Sequence, residues 1–120
     1  MEPLVEPTVT RWFPPDVLAS KAPYLDSVRA MIRATPVNGF IGCAAALADH
    51  DFRSAVARTK PPVLFIAGEK DAGGAIAAAM KGLHQALPTS RYVELAGAGH
   101  ISNLDDPAGF TQALREFLNA

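Results

Sequence analysis

The chain has 120 residues, of which 49% are hydrophobic and 19% charged, and its formal net charge is -1. This balance belongs to a folded domain with enough apolar material for one core, and it excludes a disordered chain. It also excludes a general nucleic-acid binder, which would carry a basic face or stripe. Cys43 is the single cysteine, so no intrachain disulfide and no cysteine-based metal cluster can form. The first residues lack the basic start and apolar run of a secretory signal, and no later apolar run approaches the roughly 20 residues of a membrane span. A cytoplasmic chain without a membrane partner is the expectation.

In chain order, Glu2 to Pro15 reads as an irregular, proline-rich lead. Tyr24, Leu25, Val28, Met31 and Ile32 then recur at helical spacing, and Thr35-Pro36 ends the pattern because a residue before proline avoids helical dihedrals. A second helix is predicted over Asn38 to Asp49, with Phe40, Ile41, Ala44, Ala45 and Leu47 on its apolar side and Cys43 as a small core residue. A shorter helix covers Phe52 to Arg58. The texture changes at Lys60-Pro61-Pro62, which divides the chain into a helical portion, 1–60, and a second portion, 61–120.

In the second portion, Val63 to Ala67 is an apolar run ended by Gly68, the pattern of a strand buried on both faces of a parallel sheet. Ala75 to Leu87 reads as a helix that keeps His84 on its exposed polar side. Arg91 to Leu95 is a second strand. The last helix starts near Pro107, capped by Asp105 or Asp106, with Phe110, Leu114, Phe117 and Leu118 on one face. A β-α-β-α order of this kind forms a crossover with parallel strands.

Asp71 and His100 each follow the carboxyl end of a predicted strand. Loops at that edge of a parallel sheet converge, so the two side chains are expected to meet. A carboxylate beside an imidazole fixes its tautomer and stabilises the imidazolium formed when it takes a proton. The plain alternatives are a turn-organising aspartate and a backbone-bonded loop histidine. Asp49-His50-Asp51 reads as a solvated helix end, because three adjacent side chains cannot converge on one ion.

The segments Pro62 to Asp71, Gly97-Ala98-Gly99-His100-Ile101-Ser102-Asn103-Leu104, and Pro107, Phe110 and Phe117-Leu118 together resemble the last two strands and last two helices of α/β-hydrolases. Arg11-Trp12-Phe13, Arg29 to Pro36 and Gly39 to Asp51 are similar to the cap of 3-oxoadipate enol-lactonases. The resemblance implies an α/β fold corresponding to the carboxyl-terminal portion of an α/β-hydrolase, preceded by helical cap segments. It implies Asp71 as the triad acid, His100 as the triad histidine, a lactone or ester substrate from aromatic-acid breakdown, and no cofactor. Within it, Arg11 could hold a substrate carboxylate and Trp12 could cover a flat ring, or Trp12 and Phe13 could only anchor the lead.

None of Ser20, Ser27, Ser54, Ser90 and Ser102 has the glycine flanks of a nucleophile elbow. The chain alone is therefore expected to be inactive, and a two-stranded sheet with an open apolar edge is expected to recruit a second copy or a separate amino-terminal half. A non-catalytic binding protein and a small enzyme in which His100 acts without a serine are the competing readings.

Overall fold

A computed structural model of the chain describes residues 1–48, 50–74 and 76–120. Asp49 and Ala75, the expected end of one helix and start of another, lie outside the described residues.

The lead is helical rather than irregular. A 3-10 turn at Glu2–Leu4 runs into α1 (Val5–Trp12). Pro7 is the third residue of α1, where the backbone N–H has no intrahelical acceptor, so proline removes no hydrogen bond there. Phe13 is extended (φ -116°, ψ 137°), as the residue before Pro14 must be, and this stops α1. A short α2 (Pro15–Ser20) ends at Lys21, which adopts the left-handed conformation (φ 52°). Next comes α3 (Tyr24–Ala34), which ends at Thr35 as the following proline requires.

Val5 and Val9 on α1, then Phe13, pack against Leu25, Val28 and Ile32 on α3 to form the core of the helical half. The i, i+4 and i, i+3, i+7 spacings put each set on one helix face. Outside that core, Arg29 bonds Glu6 at 2.7 Å and Arg33 bonds Glu2 at 2.8 Å, linking α3 to the first turns of the chain.

α4 (Val37–Ala48) follows, then the short α5 (Arg53–Val56). The helical pattern of α4 is as expected but its burial is not. No residue of it is buried; Ile41 is 58% and Leu47 63% exposed, and Cys43 lies at the surface rather than in a core.

The second portion holds β1 (Leu64–Gly68), α6 (Ala77–Ala86) and β2 (Arg91–Leu95), then a single turn, α7 (Ser102–Asp105), and α8 (Pro107–Leu118). The strands form a two-stranded parallel sheet in which Leu64 pairs with Arg91 and Gly68 with Leu95. α8 begins at Pro107, with the Asp106 carboxylate accepting the Gly109 N–H at 2.9 Å. His84 is half-buried rather than exposed: its Nδ1 lies 2.8 Å from the Ser90 hydroxyl and its ring stacks on Tyr92. No single helix among the described residues is long and apolar enough to cross a membrane.

Candidate active site

The parallel register brings the carboxyl ends of β1 and β2 to the same edge of the sheet, and the loops that leave them are laced together. The Lys70 N–H donates to the Ala98 carbonyl at 2.8 Å, and the Gly97 N–H donates to the Glu69 carboxylate at 2.8 Å. A side chain at Gly68 would collide with the carbonyl oxygens of Ala98 and Gly99, so the close approach of the loops depends on glycine there.

Within this junction His100 Nδ1 lies 3.0 Å from Asp71 Oδ2. A carboxylate oxygen can only accept, so Nδ1 carries the proton and Nε2 presents its lone pair away from Asp71. The other oxygen, Oδ1, accepts the Gly73 N–H at 2.5 Å. The Asp71 side chain is 3% exposed and that of His100 is 26% exposed. The aspartate side chain is thus buried with one donor on each oxygen, while the imidazole keeps a partly exposed edge. That is the arrangement of an oriented general base.

The helical half is bonded to this site. Because α1 ends at Trp12, its carbonyl has no helical partner, and it accepts the His100 N–H at 2.8 Å. The Trp12 indole lies against the His100 ring, with centroids 5.8 Å apart and planes tilted by 33°. On its other flank the Gly99 N–H donates to Asp105 Oδ2 at 2.7 Å, and Asp105 Oδ1 accepts the Tyr24 hydroxyl at 3.1 Å. Burial first, and then the Asp105 carboxylate, push the Tyr24 hydroxyl up to about 12.

Trp12 also borders an open cavity of about 470 Å³. Leu4, Pro7, Ile32 and Phe40 supply its apolar walls and Arg11 its cation. Arg11 is exposed and has no salt-bridge partner among the described residues. Of the four site residues picked from the sequence, Asp71, His100 and Trp12 are in mutual contact as a chain, and Arg11 stands beside Trp12 at the cavity.

Sequence reasoning missed Tyr24, Glu69, Gly73 and the role of Asp105. Only Asp105 carried a signal, as one of two candidate caps of the last helix; the cap is the other candidate, Asp106. Among the described residues no serine hydroxyl bonds His100. Ser90 donates to the Leu87 carbonyl at 2.6 Å, and Ser20 to the Val17 carbonyl at 2.7 Å. No group of three or more His, Cys, Asp or Glu residues could hold a metal ion among the described residues.

No protein-family model matches the chain. It is 27% identical over 114 residues to the 3-oxoadipate enol-lactonase 2 of Acinetobacter baylyi, covering 95% of this chain and 42% of that protein. It is 31% identical over 112 residues to a protein of Pseudomonas savastanoi pv. phaseolicola named as a carbamate hydrolase, again covering 42% of it. The crystal structure of the enol-lactonase from Burkholderia xenovorans superposes with a TM-score of 0.93 at 31% identity, covering all of this chain and 45% of that one. The chain therefore spans less than half the length of the proteins it resembles.

Proposed function

This chain has the fold of the carboxyl-terminal part of an α/β-hydrolase, and from that premise we propose that it supplies the acid and base of a hydrolase whose nucleophile is delivered by an amino-terminal half. Asp71 is the acid and His100 the base. The supporting observation is the His100 Nδ1 held 3.0 Å from the carboxylate of Asp71, whose side chain is 3% exposed.

The chemistry follows from the Nδ1–H tautomer of His100. As a serine hydroxyl of the complementing half attacks the substrate carbonyl, His100 Nε2 takes its proton, and Asp71 stabilises the resulting imidazolium. The imidazolium then gives the proton to the leaving oxygen. In the second half-reaction the same nitrogen takes a proton from the water that attacks the acyl-enzyme carbonyl, then returns it to the serine oxygen as the acyl bond breaks and the acid leaves. No metal or redox group takes part in these steps.

The substrate is a lactone or ester carrying an anionic group. Arg11 at one wall of the cavity attracts a carboxylate, and Trp12 carries the substrate's flat portion toward His100. The enol-lactonases among the relatives favour a lactone of aromatic-acid catabolism, hydrolysed in the cytoplasm. The relative named as a carbamate hydrolase makes the acyl group itself the open variable. Replacing Arg11 by Gln should raise KM for a carboxylate-bearing lactone by roughly tenfold or more and leave a neutral ester nearly unaffected, consistent with one lost charge-assisted hydrogen bond.

The partner surface is the uncovered apolar part of the molecule: the outer edge of β1 and the exposed faces of α4 and α8, including Ile41, Leu47 and Leu118. An amino-terminal half covers them when present, and a second copy of this chain covers them otherwise. Mixing the chain with the remaining segment of the Burkholderia xenovorans enol-lactonase tests the reading. Hydrolysis of an activated ester should be negligible for the chain alone and appear on mixing. His100→Ala should then lower it by on the order of 10³-fold or more. Equal rates for wild type and His100→Ala would remove the catalytic reading and leave a binding or self-associating protein.

A further inference from the structure

The loop Gly97 to His100 hangs between two carboxylates. On one side Glu69, from the acid loop, accepts the Gly97 N–H. On the other, Asp105 accepts the Gly99 N–H at 2.7 Å, immediately before His100. Asp105 is not a helix cap: its second oxygen is 3.1 Å from the hydroxyl of Tyr24, 81 positions earlier in the chain.

Tyr24 is itself fixed. It is half-buried at the start of α3, its ring lies 5.8 Å from that of Phe13, and Phe13 is 2% exposed in the helical core. Gly99 sits close against both partners, since a Cβ there would come within 2.5 Å of the Trp12 carbonyl oxygen and 3.1 Å of Asp105 Oδ2. Asp105 therefore links the residue preceding the imidazole to the helix that forms the floor of the helical half.

We propose that Asp105 and Tyr24 are a positioning pair that clamps the Ala98–Gly99 peptide, one step before His100, to α3 and so holds the His100 ring against Asp71. The clamp complements the Trp12 carbonyl, which fixes the next N–H along. Together they make the orientation of the imidazole depend on how the helical half is seated on the sheet. Any displacement of α3, including one caused by a ligand in the cavity beside Trp12, is passed to His100 through this carboxylate. Neither residue touches the reacting atoms. The functional meaning of the clamp rests on His100 acting as the base, but its existence does not.

Nitrogen-15 spectra of the histidine ring in this chain provide the test, because the ring shifts distinguish a single Nδ1–H tautomer from an exchanging mixture. Wild type should show the single tautomer for His100. Asp105→Ala and Tyr24→Phe should both lose it, the second while changing only one hydroxyl. Val28→Ala, which opens the same helical core without touching the clamp, should retain it. Asp105→Asn, which keeps one acceptor oxygen, should fall between wild type and Asp105→Ala. If Asp105→Ala does not fold, Tyr24→Phe decides alone. A wild-type His100 pattern in Tyr24→Phe, or an equal loss in Val28→Ala, overturns the proposal. The readout needs no hydrolysis, so a clamp that is present in a mixture without esterase activity would separate this inference from the catalytic reading.

Discussion

Asp71 Oδ1 is held by the Gly73 N–H, and Gly73 also faces the imidazole, so this glycine serves space rather than backbone freedom. A Cβ at position 73 would lie 2.6 Å from His100 Cγ and 2.8 Å from Nδ1, and the ring would have to move. Gly74 beside it differs: nothing lies within 4 Å of a Cβ there, but its φ of 133° is strained for any other residue. Gly73→Ala should therefore lower kcat/KM of the completed enzyme about 10²-fold, the usual cost of a catalytic group displaced by an ångström. Gly74→Ala should lower stability by about 1–3 kcal/mol while leaving His100 in place. Chemical denaturation and steady-state kinetics of the two variants separate these effects.

Tyr24 adds a pH dependence with a definite sign. Its hydroxyl titrates near 12 in the folded chain, pushed up by burial and by Asp105, against an ordinary value of 10.0. Folding thus favours the neutral phenol. That contribution is complete below about pH 10 and is lost as pH rises toward 12. Urea unfolding between these limits should show a steeper alkaline loss for wild type than for Tyr24→Phe. Tyr92, also pushed up to about 12 by burial and by Glu94, leaves a residual slope of the same sign in the variant. Of these residues, Asp71 and His100 were legible because they follow strands. Tyr24 and Gly73 were not, because their roles depend on contacts that no local spacing encodes.

At the scale of elements, α3 and the two strands could be read directly from period and punctuation, and the parallel pairing followed from their order. α1 could not, because proline counts against a helix unless its place in the first turn is known. Yet α1 supplies Val5 and Val9, both at most 1% exposed, to the core of the helical half. Leu25 sits across from them at 2% exposure. Leu25→Ala should cost about 2–5 kcal/mol, the range for a buried leucine whose site cannot collapse, measurable as a shift of the urea midpoint at constant slope. The ion pairs Arg29–Glu6 and Arg33–Glu2 join the same elements across solvent, where removing either should change stability far less.

For the whole molecule, the apolar pattern of α4 was legible but its burial was not. Phe40, Ile41 and Leu47 recur at helical spacing and lie at 42%, 58% and 63% exposure. An apolar face states that a cover is needed without stating which surface provides it. The superposed enol-lactonase is more than twice the length of this chain, which fits a cover formed by the rest of such a fold. In the absence of that cover, light scattering should show association that grows with concentration. Ile41→Lys together with Leu47→Glu should reduce it without loss of helical signal. Concentration-independent monomer for wild type would remove α4 and the β1 edge as partner surfaces.

The most direct measurement is covalent labelling of the nucleophile by a fluorophosphonate in the mixture of this chain with the complementing enol-lactonase segment, read by mass spectrometry. Modification of one serine on the complementing segment is predicted, dependent on this chain and abolished by His100→Ala. Labelling that is absent from a stably associated mixture, or that proceeds equally with His100→Ala, would contradict the assignment of His100 and Asp71 as its base and acid.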